Sequence, residues 1–266
     1  AVFELARHVI REAQQLAREA RAEPRDVSDS AWLRGGSALS RLLGLGRTSG
    51  VGAPAFAGVE EAARRISLLC GRVSRIVAAE PSIVRVPAAA KVFGDVHGQL
   101  RDLLLLFEEY AFPSHYGGDI ETTTYVFNGD WVDRGRHQLD VVVLLFALKA
   151  MYPARIFLVR GNHEFRSQSE AMLQDGFKVH VESRFHHWGS SDSAVALTVY
   201  EAVHGAFEWL PLAALIADAV LVLHGGIGRG DWGLSDLRAV KRPIREATDP
   251  GVPACVVQAL WSDPSD

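Results

Sequence analysis

Four short segments of this chain combine metal-binding side chains with glycine. They are residues 94–98 (GDVHG), 129–135 (GDWVDRG), 161–164 (GNHE) and 224–226 (HGG). Each one follows a short apolar run that is typical of a buried strand. Loops at strand ends are where layered α/β folds build their sites, and glycine lets the backbone turn sharply beside a ligand. The pattern therefore predicts a site at one end of a sheet.

Each segment taken alone has an ordinary structural explanation. An Asp-x-His pair is usually a surface turn. Gly-Asn-His-Glu could be the capped start of a helix, since asparagine caps well and glutamate suits the first turn. Short motifs also match by chance. The four in this order, each ending an apolar run, favour one shared site that offers two aspartates, one asparagine and two histidines as ligands.

The rest of the pattern predicts the elements that would position these segments. Apolar β-like runs predict strands at residues 90–93, 123–127, 155–159 and 219–223. Helical periodicity predicts helices at residues 59–79, 100–110, 139–151 and 197–207. Strands, loops and helices in succession indicate an α/β layered fold. His137 and His180 are predicted at the surface.

The N-terminal residues 1–58 are predicted as a segment separate from the main domain, residues 59–266. Residues 3–21 form an amphipathic pattern with Arg and Glu on one side, which predicts a helix that packs on the domain or binds a partner. Residues 22–58 are rich in glycine and are predicted as linker, with a short helix near 38–45.

Composition excludes several classes of function. The 266 residues are 48% hydrophobic and 23% charged, which suits one globular domain with a substantial core. A net charge of −4 indicates no nucleic-acid or anionic-membrane partner. The longest apolar run, residues 141–148, is too short for a bilayer, which needs roughly 20 residues. Only two cysteines, Cys70 and Cys255, favour a reducing compartment such as cytosol or nucleus.

The four motifs in this order resemble the signature of the metallophosphoesterases, and more narrowly that of the PPP family of protein serine/threonine phosphatases. Secondary features resemble the same family: residues 207–212 (FEWLPL), residues 260–264 (LWSDP), and a charged helix after Gly176-Phe177. The resemblance covers about residues 59–266 and leaves the branch of the family open. It implies a layered sandwich of two mainly mixed β-sheets flanked by helices.

The resemblance also implies two divalent cations and their ligands. Asp95, His97 and Asp130 would hold one ion. Asp130, Asn162 and His224 would hold the other, with Asp130 as the bridge. These oxygen and nitrogen donors suit Mn²⁺, Fe or Zn²⁺ without deciding among them, and Mn²⁺ is the ion expected in vitro. Two such ions can share a water and lower its pKa.

The remaining roles implied by the resemblance concern the phosphate ester. His163 would be the general acid for the serine or threonine leaving group, and Asp133 would hold its imidazole. Arg134 would bind the phosphoryl oxygens, together with Asn162 and a second arginine. Arg242 is predicted as that second arginine, and Arg245 is the alternative. The expected partners are phosphoprotein substrates and a regulatory subunit or attached domain.

One family ligand has no counterpart here, since the family places a further histidine on the second ion beyond the LWSDP segment. The chain is therefore expected to be truncated at its C-terminus, without its last strands, and to bind the second ion weakly with poor activity. Two other functions remain open: a phosphoesterase for small phosphates such as dinucleoside polyphosphates, and a weakly active or inactive phosphatase that serves as a binding module.

Overall fold

The computed structural model describes residues 1–24, 33, 37–44, 56–187 and 193–263. Its strands are β1 (Ile83–Val86), β2 (Ala90–Phe93), β3 (Thr124–Asn128), β4 (Ile156–Val159), β5 (Ala213–Ile216) and β6 (Val220–Leu223). Its helices are α1 (Val2–Ala22), α2 (Ala38–Leu42), α3 (Phe56–Ala79), α4 (Leu100–Tyr110), α5 (Gln138–Met151), α6 (Arg166–Ala171), α7 (Phe177–His187), α8 (Ser193–Phe207), α9 (Leu234–Ala239) and α10 (Ala254–Trp261). The predicted strands and helices are present, with ends shifted by a few residues.

Two three-stranded sheets form the centre of the fold. One has the order β2-β3-β4 with all strands parallel, and the other has the order β1-β5-β6 with β6 antiparallel to β5. Because β2, β3 and β4 are parallel, their carboxyl ends lie at one edge of the sheet. The first three motifs begin at that edge, after Phe93, Asn128 and Val159.

The sheets pack face to face, and helices cover their outer faces. Val84 and Ala214 of one sheet contact Val126, Phe157 and Val159 of the other within one buried cluster. A second cluster packs α9 and α10 on the β1-β5-β6 sheet, and a third packs α1, α3, α4, α5 and α8 on the other. The predicted layered sandwich is confirmed, although its β2-β3-β4 sheet is parallel rather than mixed.

Helix α1 belongs to the main core. Its apolar face, which includes Leu16 and Ala17, is buried in the same cluster as Val142 and Leu145 of α5. That face therefore packs on the domain, the first of the two predicted alternatives. Most of the predicted linker lies outside the described residues. Among the described residues, no helix combines the length and apolarity needed to cross a bilayer.

Some features were not predicted. Strands β1 and β5 were missed because each is only four residues long and lies outside the motifs. The surface prediction for His137 and His180 is wrong, because α7 folds back over the start of α5. His137 is buried with its Nδ1 3.5 Å from Oδ1 of Asp140. Burial lowers the pKa of His180 to about 3.

A buried lysine joins two helices to the strand that leads into the third motif. Lys149 of α5 is fully buried. Its Nζ donates at 2.5 Å to Oε1 of Glu80, the residue that follows α3. The same Nζ donates to the carbonyls of Ile156 and Pro153 at 2.7 and 3.2 Å. Burial lowers the pKa of Lys149 and raises that of Glu80, and the opposite charge of each partner partly offsets these two shifts.

We expect Lys149→Met to lower the free energy of unfolding by about 3–5 kcal/mol, because it leaves the Glu80 carboxylate buried without a partner. Urea denaturation measures the change. Lys178→Met is the matched control, since the Lys178 pair with Glu170, at 3.0 Å, is exposed and should contribute less than about 1 kcal/mol. Equal losses in the two variants would contradict the buried pair's role.

Candidate active site

Asp130 lies at the centre of the four motifs. It follows β3, and it is 4% exposed. Its two carboxylate oxygens face different imidazoles: Oδ1 is 3.2 Å from Nε2 of His224, and Oδ2 is 3.4 Å from Nε2 of His97. The backbone N–H of His163 donates to Oδ1 at 3.0 Å. One carboxylate therefore contacts residues of the other three motifs.

Backbone carbonyls fix the tautomers of both imidazoles. Nδ1 of His97 donates to the carbonyl of Val132 at 2.8 Å, and Nδ1 of His224 donates to the carbonyl of Asn128 at 2.7 Å. A carbonyl can only accept, so each Nδ1 carries its proton. Each Nε2 is then free to bind a cation on the side of Asp130.

The other two predicted ligands lie beside His224. Oδ1 of Asn162 is 3.3 Å from Nε2 of His224, and Oδ1 of Asp95 is 3.9 Å from Nδ1 of the same histidine. The Asp95 side chain is 69% exposed, so it borders solvent. Two groups offer ligand atoms within 4.8 Å of one another: Asp95, Asp130 and His224, and His97, Asp130 and His163. The structure thus brings all five predicted ligands together, with Asp95 nearer His224 than predicted.

The spacing of these donors fits divalent cations. Atoms bonded to one ion at about 2.0–2.2 Å lie about 3–3.5 Å apart, which matches the separations of 3.2–3.4 Å around Asp130. Nε2 of His224 faces Oδ1 of Asp130 and Oδ1 of Asn162. Contacts this short between nitrogen and oxygen need a proton or a cation between the two atoms. Burial lowers the pKa of His224, but the hydrogen bond and charge of Asp130 raise it to about 9. The cluster attracts positive charge.

Several site residues have left-handed backbone conformations. Their φ angles are 49° for Asp95, 42° for His97, 53° for Asp130, 65° for Asp133 and 70° for Arg134. Such conformations cost about 1–3 kcal/mol for a residue with a side chain and persist only where the surroundings enforce them. Such conformations cluster at functional sites, and they were not predicted. Here they turn neighbouring side chains toward one point.

Glu164 enforces part of this geometry and was missed as a site residue. Its fully buried carboxylate accepts the backbone N–H groups of Gly161 at 2.8 Å and of Asp130 and Trp131 at 2.9 Å. It therefore joins the second and third motifs. Burial and the charge of Asp130 raise its pKa to about 7. An acidic residue directly after a strand-end histidine was the available signal.

His163 and Asp133 form a buried pair. Nδ1 of His163 donates to Oδ2 of Asp133 at 2.7 Å, and the backbone N–H of Phe177 donates to Oδ1 at 2.7 Å. Nε2 of His163 lies 3.8 Å from Oδ2 of Asp130 and so faces the cluster. Burial lowers the pKa of His163, but the hydrogen bond that His163 donates to Asp133 and the charges of Asp130 and Asp133 together raise it above its usual value. The pair has the arrangement predicted for a general acid.

Arg134 lies at the open side of the site. It is exposed, and its backbone N–H donates to the carbonyl of Asp175 at 2.7 Å. The pKa of His97 is lowered mainly by burial, and the positive charge of Arg134 is a smaller cause of the same shift. Within the described residues the guanidinium makes no hydrogen bond or ion pair. Its N–H groups are therefore available for an anion.

The structure does not bring Arg242 to this cluster. Within the described part of the chain, its guanidinium donates to the carbonyl of Val77 at 3.0 Å and, in shorter contacts, to those of Trp209 and Glu80. These carbonyls occupy the guanidinium N–H groups that would otherwise bind phosphate. The geometry therefore gives no support to the phosphate-binding role predicted for Arg242. Arg245 is exposed. The second phosphate-binding arginine stays a prediction.

Comparisons with known proteins agree with this geometry. The family model described as calcineurin-like phosphoesterase matches residues 90–266. Serine/threonine-protein phosphatase BSL2 of Arabidopsis thaliana is 39% identical over 201 residues, which cover 76% of this chain and 18% of that protein. The chain thus spans about a fifth of this relative's length.

A solved structure supports the same assignment. A protein serine/threonine phosphatase from Saccharomyces cerevisiae, with similarity to human phosphatase PP5, is 29% identical and superposes with a TM-score of 0.64. The match covers 76% of this chain and 59% of that chain. With four motifs converging on one buried carboxylate, the chain belongs to the calcineurin-like phosphoesterases and, within them, to the PPP-family serine/threonine phosphatases.

Proposed function

We propose that this chain hydrolyses phosphoserine and phosphothreonine esters in proteins and requires two divalent cations. The observation that carries the proposal is the Asp130 carboxylate, whose two oxygens face His97 and His224. The buried His163–Asp133 pair lies beside it. Both relatives are protein serine/threonine phosphatases, which supports phosphoproteins as the substrate class. Selection of substrates by a regulatory partner or further domain belongs to the same proposal.

The ligand sets are those that the family resemblance implies: Asp95, His97 and Asp130 would hold one ion, and Asp130, Asn162 and His224 the other. The structure groups Asp95 with Asp130 and His224 instead. Bound cations lower the pKa of a shared water and neutralise charge on the phosphoryl oxygens. The donors suit Mn²⁺, Fe or Zn²⁺. Both free cysteines are buried and unpaired, which supports action in a reducing compartment.

The remaining side chains act on the phosphate ester itself. Arg134 would bind the phosphoryl oxygens through its planar guanidinium, and the amide of Asn162 would contact them from the other side. His163 would donate the proton on Nε2 to the leaving oxygen of serine or threonine. Asp133 keeps the opposite nitrogen protonated and stabilises the charged ring. An alkoxide is a strong base, so this proton transfer is essential to the reaction.

We expect Asp130→Asn to abolish cation binding and to lower phosphopeptide turnover by more than about 100-fold. Mutation of a residue that only hydrogen-bonds a metal ligand already lowers activity by about 10- to 100-fold, and loss of a bridging ligand should cost more. Titration calorimetry with Mn²⁺ and phosphate release measure the two effects. Asp218→Asn is the control: Asp218 is an exposed aspartate with φ of 55°, close to the 53° of Asp130. Full Mn²⁺ binding by Asp130→Asn would sink the proposed cation site.

We expect His163→Asn to lower kcat for a phosphoserine peptide by about 100- to 10,000-fold, as for other general acids. Turnover of p-nitrophenyl phosphate should fall much less, because p-nitrophenolate is a weak base and leaves without a proton. His115→Asn, which alters an exposed histidine paired with Glu121, should change neither rate. Equal losses on the two substrates would rule out proton donation by His163.

The wild-type chain with Mn²⁺ should cleave the phosphoserine peptide faster than a dinucleoside tetraphosphate. Phosphate release from the peptide and chromatography of the nucleotide measure the two rates under matched conditions. A preference for the nucleotide would replace the proposed function with the small-phosphate alternative.

A further inference from the structure

Gln138 is a buried residue that none of the roles above uses. It is the first residue of α5 and is 2% exposed. Its side chain turns back toward the second motif, where Oε1 accepts the backbone N–H of Asp133 at 2.9 Å. Its Nε2 donates to the carbonyl of Asp175 at 3.0 Å. One donor and one acceptor fix the orientation of the amide.

The Gln138 amide supports the loop that carries Asp133 in two ways. It accepts the backbone N–H of Asp133 directly. The Asp175 carbonyl also accepts the backbone N–H of Arg134 at 2.7 Å, so the Gln138 amide and Arg134 share one anchor. Asp133 and Arg134 have φ angles of 65° and 70°, and such residues need support from outside their own loop. Gln138 supplies that support with a neutral side chain.

Asp133 is thereby held at three points, one on its backbone and two on its carboxylate. Gln138 binds its backbone, the N–H of Phe177 binds Oδ1, and Oδ2 is left to accept from His163. The first motif also packs directly against the Gln138 side chain, since a Cβ added at Gly98 would lie 2.9 Å from Cγ of Gln138.

We infer that Gln138 is a positioning residue, whose amide holds Asp133 so that its carboxylate orients His163 for proton donation. The inference rests on the proposed function. Removal of the amide leaves the Asp133 N–H buried without an acceptor and lets the loop relax. His163 then loses alignment, and the loss falls on substrates whose leaving group needs a proton.

The test compares Gln138→Met with Gln14→Met. Methionine keeps the length of the side chain and removes both hydrogen bonds. Gln14 of α1 is the matched control, because it is 8% exposed and its Nε2 also donates to a loop carbonyl, that of Tyr116, at 2.7 Å. Each variant is assayed with Mn²⁺ on a phosphoserine peptide and on p-nitrophenyl phosphate. The ratio of the two rates does not depend on how much protein is folded.

We expect Gln138→Met to lower kcat for the peptide by about tenfold or more, as for other residues that orient a functional side chain. The kcat for p-nitrophenyl phosphate should fall much less. Gln14→Met should leave the ratio unchanged. Equal losses on both substrates, or no loss, would overturn the inference. A wild-type chain that cleaves neither substrate would overturn the proposed function instead.

A second measurement needs no catalysis. The hydrogen bond to Asp133 moves the Nδ1 proton resonance of His163 downfield in the proton NMR spectrum of the metal-free chain. We expect this resonance to move upfield or disappear in Gln138→Met and to stay in place in Gln14→Met. An unchanged resonance in Gln138→Met would show that the pair does not depend on Gln138, whatever the assays give.

Discussion

The structure depends on burying one carboxylate, that of Asp130, next to a second one, that of Glu164. The two are adjacent because Glu164 accepts the backbone N–H of Asp130. Burial raises the pKa of Glu164, and repulsion from the Asp130 carboxylate raises it further, while three imidazoles surround Asp130. This concentration of buried carboxylates favours positive charge at the site.

The sandwich keeps that arrangement rigid. Strand β3, which leads to Asp130, is the middle strand of its sheet, and its residues from Thr124 to Phe127 are fully buried. Gly129 has a φ of 81°, and a side chain there would collide with the backbone of Gly161. The second and third loops are therefore in direct backbone contact. Donor atoms held this firmly need little rearrangement when an ion or a phosphate enters.

Much of the site was predictable because its residues follow strands whose apolar runs are visible in the sequence. Parallel strands carry such residues to one edge, so Asp95, Asp130 and Asn162 could be placed together from their order. His224 follows β6 of the other sheet, and it was placed in the site by the family resemblance. The left-handed φ angles and the contacts of Arg242 could not be predicted, because they depend on tertiary packing. Glu164 had a signal in its position after a strand-end histidine, but its three backbone partners depend on packing too. Residue type does not report which carbonyls surround a guanidinium.

The burial of α1 has a consequence for how the protein tolerates change. Ala13 and Ala17 leave no room for larger side chains, because both are fully buried in the core shared with α5, and α5 begins at the loop that carries Asp133. A larger side chain in α1 would thus disturb the second motif without touching any residue of the site. Fragments intended for crystallography should retain this helix, since its removal would uncover an apolar surface on α4 and α5.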